Sequence, residues 1–102
     1  MSMPRIRIAI DAFLIDEDNE EKFASHGLSS RQVLQVLDNE HLIVHNRKQR
    51  RAFYLVIGRD HGGACIAIPI EPTHDPLLWR PVTPWPCKQH ERDRLEVRGQ
   101  DG

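Results

Sequence analysis

No apolar run in this 102-residue chain approaches the roughly 18–20 residues that cross a bilayer, so a membrane span is not expected. The opening MSMPRIRIAI has no apolar h-region and no cleavage site of a secretory signal. Only two cysteines are present, Cys65 and Cys87. They fit a reducing compartment as two buried thiols, with a disulfide as the alternative, and the cytoplasm is the expected location. Neither sign of charge is in excess: 14 Lys and Arg face 15 Asp and Glu, a formal net charge of −1, which argues neither for nor against nucleic acid. None of the six histidines has a Cys-x-x-Cys or His-Glu-x-x-His neighbour, so no metal and no cofactor is expected. His41 and His45 would share a strand face roughly 13 Å apart, too far to hold one ion. There is no internal repeat and no low-complexity tract. A chain this short has room for one core, read as a single domain over residues 1–97 with a disordered tail at 98–102.

What is present centres on residues 41–70, which read HLIVH, NRKQRR, AFYLVIG, RDHGG and ACIAIPI. Ala52 to Ile57 is nearly continuous in apolar residues, as in a strand covered on both faces. Ala64 to Ile70 alternates, as in a half-buried strand. Between them Asp60-His61-Gly62-Gly63 supplies two residues that tolerate positive φ, which predicts an antiparallel hairpin. Charge is segregated. Residues 11–21 hold six acids and no base, whereas residues 47–51 hold four bases in five. Such a molecule could lay a basic ridge on an anionic ligand while staying neutral overall.

Upstream, Arg5 to Ile10 alternates and predicts a strand with a basic outer face. Asp16 or Asp18 can cap a short helix ending at Gly27, with Phe23 as its anchor. Ser29 and Gln32 match a capping box, and Val33, Leu34, Val36 and Leu37 follow at helical spacing. Downstream, residues 69–86 carry six of the seven prolines. Leu78 to Thr83 reads as a strand with Pro81 at an edge or bulge. Pro86 can open a last helix, Cys87 to Val97, whose only strong apolar residue is Leu95. The fold class is α+β: a small antiparallel twisted sheet of four to five strands, two N-terminal helices on one face, and a C-terminal helix.

His26-Gly27-Leu28-Ser29, Val36-Leu37-Asp38, Arg51 followed by Leu55-Val56-Ile57-Gly58, and the closing Arg80-Pro81-Val82-Thr83-Pro84-Trp85-Pro86-Cys87 with Glu91 stand in this order over about residues 13–97. Together they resemble the BrnT family of small ribonuclease toxins from bacterial type II toxin–antitoxin pairs. The resemblance implies a fold similar to RelE and ParE toxins, an RNA substrate, inhibition of translation and growth, and a cognate antitoxin as partner. Trp85 departs from the pattern, standing where the family has a second arginine, and two prolines enter that strand.

RNA cleavage needs a base for the 2′-hydroxyl proton, cations for the charge developing on phosphate, and an acid or water for the leaving oxygen. His26 is the first candidate for acid or base; its plainer reading is a helix-end histidine near the last carbonyls. Arg51 and Arg80, from separate strands, would meet beside the helices and grip a phosphate; their plainer reading is surface charge. Arg47, Lys48, Arg50 and Lys88 would supply sequence-blind attraction to the RNA backbone. Glu71, His74 and Glu91 form a second rank, together with Trp85, which could stack a base or simply pack. The competing reading is a non-catalytic module on the same fold, binding an acidic protein or nucleic acid, and Trp85 favours it. A third reading, a DNA-binding regulator, is disfavoured because no convincing recognition helix carries base-reading residues. The oligomeric state is left open.

Overall fold

The computed structural model describes residues 8–46 and 54–101, with side chains through residue 97. The central hairpin forms as the turn chemistry requires. β3 (Tyr54–Arg59) and β4 (Cys65–Pro72) pair antiparallel from Tyr54 opposite Ile70 to Arg59 opposite Cys65. Gly63 takes φ +88° at the turn. Asp60 closes that turn, its Oδ1 accepting the Ala64 N–H at 2.9 Å.

β2 (His41–His45) pairs antiparallel with β3. On the other side of β4 lie β5 (Leu78–Pro81) and, farther along the same strand, β6 (Trp85–Pro86). The edge strand β1 (Ala12–Phe13) runs parallel to β5, giving the order β1-β5-β4-β3-β2. The sheet is therefore mixed, with six strands among the described residues, where an antiparallel sheet of four to five was expected. Hairpins force antiparallel pairing, but β1 reaches β5 through the whole chain and is free of that constraint. The predicted strand over residues 5–10 is not seen where it can be judged. Residues 8–10 join no ladder, though Ile8 and Ile10 pack on the core and the Ala9 carbonyl accepts from Trp79 Nε1. Residues 5–7 of that segment lie outside the described residues.

The two early helices cover one face. α1 (Glu17–Ser25) is capped by Asp16 and Asn19, each side chain bonding the other's backbone N–H. It stops in a Schellman turn: Leu28 N–H bonds the Phe23 carbonyl, Gly27 N–H bonds that of Ala24, and Gly27 sits at φ +73°. α2 (Ser30–Asp38) carries the expected Ser29/Gln32 capping box. Phe23, Leu28, Val33 and Val36 meet Val56, Ile66, Ile68, Ile70, Phe13 and Trp79 in the larger core. Gly58 lets α2 approach closely, because a Cβ there would lie 2.6 Å from Val36 Cγ1.

The opposite face carries α3 (Gln89–Asp101) over a smaller core of Val44, Leu55, Ile57, Ala67 and Leu95. The helix starts at Gln89, not Cys87, because Pro86 is taken up by β6. The proline run also breaks the edge. Pro81 and Pro84 are fully buried where the chain leaves the ladder at residues 82–84, since prolines cannot donate to it. Cys65 and Cys87 are buried as expected, but they are joined in a disulfide rather than left as thiols. The Cys87 N–H bonds the Cys65 carbonyl at 2.9 Å, so β6 delivers one sulfur to the other. No helix among the described residues is long and apolar enough to cross a membrane.

Candidate functional site

Side chains on a strand alternate between faces, and the register sorts the candidates. Glu71 stands directly opposite Arg80 in the β4–β5 ladder, on the face that also carries Ala67 and α3. Arg80 is half-buried and held by two carboxylates. Its Nη2 bonds Asp16 Oδ2, and its Nε lies 4.0 Å from Glu71 Oε1. Asp16 reaches it because α1 begins beside β5: Asn19, buried within α1, donates from Nδ2 to the Pro81 carbonyl at 2.9 Å. One residue pair thus caps the helix, fixes it to the strand, and places a carboxylate on the arginine.

A second cluster stands roughly 13 Å along β4 from Glu71, by strand rise. Trp85, opposite Ala67, donates from Nε1 to both oxygens of Glu91, at 3.0 and 3.3 Å. Glu91 is almost fully buried and also accepts the Lys88 N–H at 2.7 Å. That is the half of a capping box in which the third helical residue reaches back to the cap. Lys88 Nζ rests over the Trp85 ring, 5.8 Å from its centroid. Glu91 therefore orients a tryptophan and starts a helix; the described contacts include no arginine for it.

His26 is elsewhere. It is the exposed C-cap of α1, whereas Asp16 at the other end touches Arg80. Ten residues of helix separate the two by roughly 15 Å along the axis, so His26 and Arg80 do not share a site. His74 is exposed in the β4–β5 loop, three residues past Glu71. Arg47, Lys48, Arg50 and Arg51 lie outside the described residues.

A cleft of about 510 Å³ opens between the hairpin turn, the end of α2 and α3, lined in part by Arg59, His61, Leu95 and Glu96. None of the sequence candidates among the described residues lines it, and several of its ionic groups are matched. Arg59 lies 3.7 Å from Glu96 and donates to the Gly63 carbonyl; His61 lies 3.3 Å from Asp38. Asp60 at its edge is a turn residue. The hydrogen bond from Gln32 is the main cause holding its carboxyl below the usual value of 3.8. Burial opposes it, and the Ala64, Gly62 and Gly63 amides add to it.

The Asp16–Arg80 and Trp85–Glu91 pairs were missed from sequence. Asp16 reads as a helix cap and nothing more, and its strand partner is 64 residues away. Glu91 carried a usable signal, an acid three residues into a helix. No protein-family model matches the chain, and no curated protein matches it.

Proposed function

We propose that this chain is a BrnT-like toxin of a type II toxin–antitoxin pair: a cytoplasmic, metal-independent endoribonuclease silenced by a small cognate antitoxin. The RelE/ParE-like variety of the α+β class belongs to the same reading. The observation that carries it is the cross-strand pair of Arg80 and Glu71 on a half-exposed sheet face. It lies within a chain whose residues resemble the family in the motifs quoted above.

In this mechanism an RNA phosphate displaces Asp16 from the Arg80 guanidinium, which then stabilises the charge developing on phosphorus. Glu71, about one strand spacing away, accepts the 2′-hydroxyl proton; the 2′-oxygen bonds to phosphorus as the P–O5′ bond breaks, and water protonates the departing 5′-oxygen. Lys88, on the same face, holds a neighbouring stretch of backbone. The half-exposed Asp16–Arg80 pair remains in reach of solvent, and pairs at the surface contribute only about 0–1 kcal/mol, so its exchange for a phosphate costs little. Purified protein incubated with total RNA in EDTA should yield discrete fragments. Arg80→Ala should cut more slowly by roughly 10²–10³-fold, and Glu71→Gln by roughly 10²–10⁴-fold. Cleavage by Arg80→Ala at the wild-type rate would overturn the site.

The second reading is a non-catalytic module binding an acidic protein or nucleic acid. It is favoured by the engagement of Arg80 with Asp16, and by the tryptophan that Glu91 holds at position 85. RNA retention without new fragments in the same assay supports it.

A further inference from the structure

We propose that the Cys65–Cys87 disulfide is a redox latch on the C-terminal unit made of β6 and α3. The inference is independent of the nuclease reading. α3 is a poor match for the surface it covers: of its side chains described, only Glu91 and Leu95 are buried, and Val97 is exposed. Under it lies a strongly apolar strip, Val44, Leu55, Ile57 and Ala67, each at most 7% exposed. A helix with one apolar anchor is held on such a strip mainly by its attachments.

Those attachments converge on residues 85–91. β6 contributes two ladder residues, and one of them, Pro86, donates no N–H. Glu91 binds Trp85 and Lys88, both inside the same unit, so those bonds travel with it. The Arg59–Glu96 pair is exposed and contributes little. The disulfide is the one covalent bond between the unit and β4. Upstream, Pro84 is fully buried, so release stops there and leaves the hairpin and the α1/α2 face intact.

The reductant is a dithiol. One of its thiolates attacks a sulfur of the pair, forming a mixed disulfide and expelling the other cysteine as a thiolate. Its second thiol then displaces the protein sulfur. The dithiol leaves as its own disulfide, two electrons having reduced the pair, and Cys65 and Cys87 become thiols. Both cysteines are buried, at 7% and 6% exposure, so attack waits on a brief opening of β6 and is slower than at an exposed disulfide. Once reduced, the tether from Pro84 to Cys87 is three residues of free chain. Losing the constraint on a loop that short favours the open form by roughly tenfold.

Hydrogen exchange on the full-length chain, oxidised and then reduced with a dithiol, tests this. Thiols are counted under denaturing conditions in each state. Expected are no free thiols before reduction and two after. Amides of residues 87–97 should lose roughly tenfold protection, with those of Tyr54–Arg59 and Cys65–Pro72 unchanged. The Cys65→Ser/Cys87→Ser variant should match the reduced protein without reductant. Two free thiols in the air-oxidised chain would overturn the latch. So would unchanged protection of 87–97 on reduction. Loss of protection throughout the sheet would also overturn it, because the bond would then staple the whole fold.

Discussion

Replacing Asn19 by alanine should cost far more than its place among surface acids suggests. The side chain does two things in opposite directions. Its Nδ2 satisfies the Pro81 carbonyl, and its Oδ1 accepts the Asp16 N–H at 3.0 Å. Alanine leaves a buried carbonyl without its donor, a penalty of about 1–3 kcal/mol. It also removes half of the capping box; a full N-cap is worth about 0.5–2 kcal/mol. The sum is about 1–4 kcal/mol, and at roughly 4–8 °C per kcal/mol for a domain of this size, the melting midpoint should fall by roughly 5–30 °C. Urea unfolding followed by circular dichroism measures it. Asn19→Asp separates the two contributions, since a carboxylate still accepts from Asp16 N–H but offers nothing to Pro81. It should retain the cap and lose the strand contact. A loss below about 0.5 kcal/mol in Asn19→Ala would refute the coupling of α1 to β5, and with it the placement of Asp16 on Arg80.

Gly58→Ala should destabilise by about 1–3 kcal/mol, since its Cβ would meet Val36 Cγ1 at 2.6 Å and His41 Cβ at 2.9 Å. Val36→Ala should rescue only part of that in a double-mutant cycle, because the His41 contact remains. Asp60 has a folded pKa below 3.8, so its contribution is complete above that value and lost as pH falls through the folded pKa. A melting series from pH 5 to 2.5 should show an acid-side decline that is shallower in Asp60→Asn. Asp16→Asn keeps an oxygen for the Asn19 N–H and removes the charge facing Arg80. If RNA binds there, a filter-binding titration should show affinity raised by up to about fivefold, the equivalent of about 1 kcal/mol.

Local chemistry was legible in the chain, and long-range pairing was not. Asp60 to Gly63, Ser29 with Gln32, and Gly27 each announce a turn, a cap or a helix end within four residues. The structure uses all three. The apolar run in β3 and the Asp60–Gly63 turn predicted an antiparallel hairpin, which forms. The alternation in β4 read as half-buried, but Cys65 to Ile70 are buried on both faces because α3 and the α1/α2 layer cover the two sides. By contrast, nothing near Phe13 says that it will lie parallel beside Trp79, and nothing near Asp16 points to Arg80. Cys65 and Cys87 pair because the proline-broken β6 returns to β4 four residues after β5 ends, a geometry that spacing alone does not reveal. Position 85 was read against an expected arginine, which hid what Trp85 does: it hands its indole N–H to Glu91.

The two faces of the sheet differ in how tightly they are closed, and this divides the chain's residues by role. On the α1/α2 face, two capping boxes, a Schellman turn and the Gly58–Val36 contact leave no room for change, so substitutions there are felt as stability. The other face is covered by a polar helix with a single apolar anchor and bounded by an edge that prolines interrupt. Arg80, Glu71, Trp85 and Lys88 all belong to it, as does the disulfide. Polar side chains held half-exposed beside apolar strands contribute little to folding free energy, so their gathering on the weakly covered face is not needed to hold the fold together. That face is where a ligand can enter without unmaking the core, and where one covalent bond can decide how much of the sheet is open.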